Sequence, residues 1–225
     1  MDFSFLSNSD YVGMLLQGLG MTIILSILSV IFGTMLGFIP AWMRLSKNKV
    51  LNFIGTTYVE IIRGTPLLVQ LLLIYAVIQI PFVLILGLDM SSFVPGIIAL
   101  LINTSAYVSE VIRGGILSVD KGQTEAALSL GMSKGQTMRR IVLPQAIKNI
   151  IPALGNEFVT MIKETSIFMY LGIPELMYNA NTIKSFTYAI KETYIVVAVL
   201  YFAITFPTSK LMAYFERRLK KSDAK

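Results

Sequence analysis

Five stretches of the chain are apolar almost throughout, and short polar or basic segments separate them. They run from Met14 to Met43, Val50 to Leu88, Phe93 to Ile112, Ile150 to Ile173 and Tyr194 to Tyr214. A helix that crosses a bilayer needs about 20 such residues. The second stretch exceeds one straight span, and Pro66 and Pro81 are the places where it would divide. Charge decides the count, because Lys and Arg in short loops stay on the cytoplasmic side. Arg44, Lys47 and Lys49 form one basic cluster; Arg113, Lys121, Lys134, Arg139, Arg140 and Lys148 form a second; Arg217, Arg218, Lys220, Lys221 and Lys225 form a third. Five spans put all three inside, whereas six would export two of them. The expected fold is therefore an all-α membrane protein of five transmembrane helices, about 14–43, 50–80, 93–112, 149–173 and 193–215, with the N-terminus outside and the C-terminus inside. Residues 1–225 form one membrane domain, Pro81 to Ser92 an apolar outer segment, and 113–148 a cytoplasmic loop.

Composition agrees, since 55% of the residues are hydrophobic and only 14% charged, far from soluble usage. The flank Met1 to Gly13 carries Asp2 and Asp10 and no basic residue, unlike a signal peptide, so the first span is read as uncleaved. The net charge of +6 is accounted for by the cytoplasmic face and calls for no nucleic acid. Cysteine and histidine are both absent, which removes disulfides, thiol nucleophiles, imidazole bases and the usual zinc ligands.

Inside the 113–148 loop the local signals describe two short helices. Thr124 is the predicted N-cap of the first and Gly131 its end; Ser133 with Gln136 makes a capping box for the second, which Pro144 is expected to close. Glu125 falls in a first turn, where the helix dipole favours an anion, and Ala126 and Ala127 let a partner approach closely. On caps alone two readings stand, a docking device and a linker lying on the membrane surface.

Spacing adds to this. Glu125-Ala126-Ala127, Gly131, Ile141, Leu143 and Pro144 resemble the EAA loop of permease subunits of bacterial ATP-binding-cassette (ABC) importers. The resemblance implies that Glu125, Ala126, Ala127, Leu130, Gly131 and Met132 couple the chain to an ATP-hydrolysing subunit. Arg63-Gly64-Thr65-Pro66-Leu67-Leu68-Val69-Gln70, Asn103-Thr104, Ala106-Tyr107, Lys163-Glu164-Thr165-Ser166 and Pro174-Glu175-Leu176 are similar to the polar amino acid branch, which includes glutamine, histidine, arginine, cystine and opine importers. Glu164 stands where many relatives carry Asp. The family implies a multi-pass protein of the bacterial cytoplasmic membrane, an external solute-binding protein and a polar amino acid as cargo. No Gly-x-x-x-x-Gly-Lys-Ser/Thr sequence occurs, so ATP and magnesium belong to a partner ATPase, and the chain itself is expected to bind no cofactor or metal. Five helices are too few to enclose a path, which argues for a second permease chain, identical or homologous.

Candidate binding residues lie where polarity inside the membrane is costly, at roughly 2.5 to 3.5 kcal/mol for a mid-span charge. Glu157 and Glu164 are seven residues apart, hence 20° from eclipsed and about 10.5 Å apart along a helix, with Thr160 and Met161 between them. This face suits an α-amino group at one acid and a second, cationic donor at the other. Gln70, Thr65, Asn103 and Thr104 are neutral groups that either complete such a site or serve as interhelical glue. Lys163 is expected to form an interhelical ion pair, and Glu60 and Arg63 to satisfy one another. The competing class is an ion-coupled secondary transporter or channel, with Glu157, Glu164 and Lys163 as relay. A membrane-bound enzyme is disfavoured, because no nucleophile and base pair or metal cluster is present.

Overall fold

In the computed structural model, which describes residues 1–221, the chain folds into α1 (Ser9–Leu45), α2 (Lys49–Arg63), α3 (Leu67–Val77), a hairpin of β1 (Leu84–Ile85) and β2 (Leu88–Asp89), α4 (Met90–Leu117), α5 (Lys121–Ser129), α6 (Lys134–Thr137), α7 (Leu143–Glu164), α8 (Leu176–Thr187) and α9 (Ile190–Lys221). Lys225, counted in the third basic cluster, lies outside the described residues. Among those residues α1, α4 and α9 are long and apolar enough to cross a membrane, and α2 with α3 make a fourth candidate as a bent pair. The expected fourth span corresponds to α7, which is helical over 22 residues but carries Asn149, Asn156, Glu157, Lys163 and Glu164 and is not among these candidates.

The second apolar stretch is not the single helix 50–80 that its composition predicts. It breaks at Gly64–Pro66, and α2 and α3 meet at 105°. The cause is local. Gly64 closes α2 with its N–H on Glu60 O at 2.8 Å, and Pro66 has no N–H to offer Ile62 O, the acceptor one turn back.

Packing centres on α1 against α4. Gly33 and Gly37 allow it, since a Cβ at Gly33 would lie 2.5 Å from the Thr104 side chain and one at Gly37 would lie 2.9 Å from Ser105 O. In lipid such close approach replaces the hydrophobic driving force of a soluble core. One buried cluster joins Leu25, Leu71, Leu100, Met161 and Phe168, tying α1, α3, α4 and α7 together with the 3-10 turn Thr165–Leu171. Gly172, at φ 74°, ends that turn and sends the chain into α8. There Glu175 caps the helix by accepting from the Met177 and Tyr178 N–H groups at 2.9 and 2.7 Å. Asn179 Nδ2 donates to Met14 O at 2.7 Å and so pins α8 to α1.

In the loop, three of the expected boundaries move. The third span is longer than 93–112, because α4 runs on to Leu117 and shortens the loop at its start. The first loop helix is capped by Asp120, whose carboxylate accepts from the Gly122 N–H at 2.7 Å, rather than by Thr124. Gly131 does end it, at φ 82°, with a Schellman pair: Gly131 N–H to Leu128 O at 3.0 Å and Met132 N–H to Ala127 O at 3.1 Å. The Ser133–Gln136 capping box forms as expected. Pro144, however, closes nothing. A π-turn at Met138–Val142 carries α6 into α7, and Pro144 falls in the first turn of α7, where a missing N–H is tolerated.

Candidate functional site

Polar side chains gather at the break in the second stretch. Gln70 Nε2 donates to Ile62 O at 2.7 Å, taking up the carbonyl that Pro66 orphans, and to Thr65 O and Thr65 Oγ1 at 3.0 and 2.8 Å. Its Oε1 accepts from Asn103 Nδ2 on α4 at 3.0 Å. Gln70 therefore braces the bend, where an unsatisfied buried carbonyl would cost about 1–3 kcal/mol. Thr104 and Met161 are buried and bonded to each other, Oγ1 to Sδ at 3.2 Å. Four of the candidate binding residues, Thr65, Gln70, Asn103 and Thr104, thus have protein partners that hold α3, α4 and α7 in register.

The two acids stand apart from this network. Both lie on the uninterrupted helix α7, so the shared face and the separation of about 10.5 Å hold. Glu157 has a buried carboxylate oxygen, Oε1, without any hydrogen-bond partner. Thr160, between the two acids, turns its hydroxyl back onto Asn156 O at 3.2 Å. A buried carboxylate oxygen left unsatisfied costs several kcal/mol unless a donor arrives.

Two expected ion pairs do not form. Lys163 is exposed and has no ion pair among the described residues; it lines a cavity of about 620 Å³ with Leu68, Ser166, Tyr170, Tyr194 and Tyr201. Its neighbour Glu164 is rotated about 100° away on the helix. Glu60 is exposed as well, and Arg63 turns from it towards α4, with its guanidinium 5.2 Å above the Tyr107 ring and 3.9 Å from Glu110.

Glu110 is the residue that sequence reasoning missed. Arg44 from α1 and Arg113 from α4 both bond its carboxylate, and Arg63 joins at the end of α2. The available signal was the i,i+3 spacing of Glu110 and Arg113 beside the predicted inner boundary. Arg63 is the last residue of α2, so it ties this cluster to the hinge of the bent pair.

Beyond α4 lies the loop with the residues expected to couple the chain to an ATPase. Glu125 and Ala126 are exposed, Ala127 is buried against the loop, and Met132 is half-buried. Leu130, directly before the left-handed Gly131, is 84% exposed, an apolar side chain held out from a polar loop. From Lys134 the chain then runs through α6, the π-turn and α7 to Glu164 without leaving helical conformation.

A family model described as "Binding-protein-dependent transport system inner membrane component" matches residues 30–221. The chain is 41% identical to the Bacillus subtilis protein named "Probable glutamine ABC transporter permease protein GlnM", over 95% of this chain and 96% of that one. It is 34% identical to the arginine transport system permease protein ArtQ of the same organism, over 99% and 100%. Among solved structures, that of an amino acid ABC transporter with histidines superposes with a TM-score of 0.87 at 46% identity, covering 97% of this chain and 100% of that one.

Proposed function

The chain belongs to the family of binding-protein-dependent transport system inner membrane components, and from that premise we propose that it is the permease subunit of an ATP-driven importer of polar amino acids, with cationic ones suiting its acids best. It acts by alternating access, with no covalent step. Its partners are an ATP-binding subunit that holds ATP and magnesium, an external solute-binding protein, and a second permease chain, identical or homologous, which completes the path. Five spans cross the bacterial cytoplasmic membrane with the N-terminus outside; α2 and α3 together form the second and α7 the fourth.

The observation that carries this function is the unbroken helical run from Lys134 to Glu164. It starts three residues after Gly131 and ends at Glu164, so a push on Leu130 and Gly131 passes through Met132 and Ser133 into a helical element that carries the two acids. Glu157 and Glu164 bind the cargo's cationic groups, and Thr160 and Met161 form the floor between them. Thr65, Gln70, Asn103 and Thr104 shape the site by fixing the bend beside it. Arg63 is held over Tyr107 beside Glu110, which leaves the Glu157 carboxylate for the cargo's cationic group.

Glu157→Gln and Glu164→Gln test the binding role in vesicles containing the assembled transporter and its binding protein. Each should lower cargo-stimulated ATP hydrolysis at least about tenfold, the equivalent of 1.4 kcal/mol, with basal hydrolysis unchanged. Wild-type stimulation in both variants would reduce the acids to packing residues.

A further inference from the structure

The hairpin between α3 and α4 is apolar from Pro81 to Leu88. From Gly64 to Leu88 the sequence contains no charged residue, and Pro81 to Leu88 contains no polar side chain at all. Phe82, Val83, Leu84, Ile85 and Leu86 are all exposed, Leu86 at 97%. Part of the backbone is paired: Leu84 faces Asp89, Ile85 faces Leu88, and Met90 N–H donates to Val83 O at 2.9 Å. Asp89 turns its carboxylate to α4, accepting from the N–H and hydroxyl of Ser91 at 2.9 and 2.7 Å.

The turn itself sharpens the point. Leu86 and Gly87 have φ of 52° and 78°, as a type I′ turn requires, and such a turn favours Asn or Gly at its first position. A leucine there costs about 1–2 kcal/mol and, at 97% exposure, gains almost no contact within the chain. The side chain is thus left free to meet a surface outside the chain. A protein partner is recognised through a polar rim and about one hydrogen bond per 100–200 Å², and Pro81 to Leu88 offers no polar side chain for it. The boundary of headgroups and acyl chains asks for neither, and its water and headgroups satisfy the backbone groups that a two-stranded hairpin leaves unpaired. The segment also continues the exposed apolar face of α3, where Val69, Leu73 and Val77 lie.

We propose that the hairpin is a lipid-seated tip, which buries Phe82 to Leu86 at the boundary of headgroups and acyl chains in the outer leaflet and anchors the outer end of α4 while the inner ends move. The leaflet assignment rests on the orientation proposed above; the lipid contact does not. Because the chain has no cysteine, Leu86→Cys gives a single attachment point for a nitroxide. The labelled permease, assembled with a cysteine-free ATPase in vesicles of phosphatidylethanolamine and phosphatidylglycerol, is compared with Lys191→Cys as a water-exposed reference. The nitroxide at 86 should be relaxed more by oxygen than by a nickel chelate, and that at 191 the reverse. Preferential relaxation by nickel at 86 would place the tip in water, and shielding from both agents would place it under protein; either overturns the proposal. A membrane-impermeant maleimide on Lys191→Cys tests orientation separately, since labelling only after permeabilisation would sink the leaflet assignment and leave the oxygen result standing.

Discussion

Gly131→Val should abolish coupling while leaving the membrane domain folded. Gly131 holds φ 82° and closes α5 through the Schellman pair to Leu128 and Ala127. A β-branched residue in that conformation costs about 1–2 kcal/mol, and the chain's way of avoiding it is to rotate Leu130 and Met132 out of place. Docking should weaken at least about tenfold on that account alone, and uptake in cells should fall with it. Leu130→Asp keeps the turn and removes only the exposed apolar contact, so its loss of docking cannot be assigned to a collapsed helix. Both variants are checked by the amount of ATPase that copurifies with the permease and by initial uptake rates. Full ATPase recovery in both would remove the loop from the interface.

Glu110→Ala should be among the most destabilising single substitutions in the molecule. It leaves Arg44, Arg113 and Arg63 facing one another at the meeting point of α1, α2 and α4. Fully exposed pairs are worth about 0–1 kcal/mol, but Arg44 is only 13% exposed and Glu110 27%, so removing the shared carboxylate strands a largely desolvated guanidinium. About 2–4 kcal/mol is expected, below the full cost of breaking a completely buried pair. Thermal unfolding in detergent reads it as a drop in Tm. Arg44→Ala in the Glu110→Ala background should recover part of the loss, because the stranded charge is then gone. An unchanged Tm for Glu110→Ala would show that the cluster holds nothing together.

How much of this was legible in the sequence follows the range of each signal. Apolar length and loop charge gave the helical membrane class, and the capping box at Ser133 and the stop at Gly131 formed where their residues stand, because caps depend on near neighbours in the chain. The 105° bend was only partly visible. Gly64 and Pro66 mark a weak point, yet its angle depends on Gln70 and on Asn103, which belongs to another helix. Pro144 misled because a proline reads alike at the end of one helix and the start of the next; the π-turn before it is what makes it a start. The Glu110 cluster was legible only in its Glu110–Arg113 pair, since its other two members, Arg44 and Arg63, join through packing of α1 and α2 on α4. The shared face of the two acids was legible because seven residues on an uninterrupted helix is a local relation. Lys163 and Arg63 were misassigned because their partners, or lack of them, are tertiary.

Uptake by the reconstituted chain tests the central claim most directly. Vesicles are prepared with the permease alone, with its ATPase, and with ATPase and binding protein together, and labelled amino acid is followed with ATP, without it, and under an imposed ion gradient. Accumulation is expected only when the ATPase, the binding protein and ATP are all present, and Gly131→Val should abolish it. Accumulation by the permease alone, driven by an ion gradient and insensitive to ATP, would contradict the account and make Glu157 and Glu164 part of an ion relay.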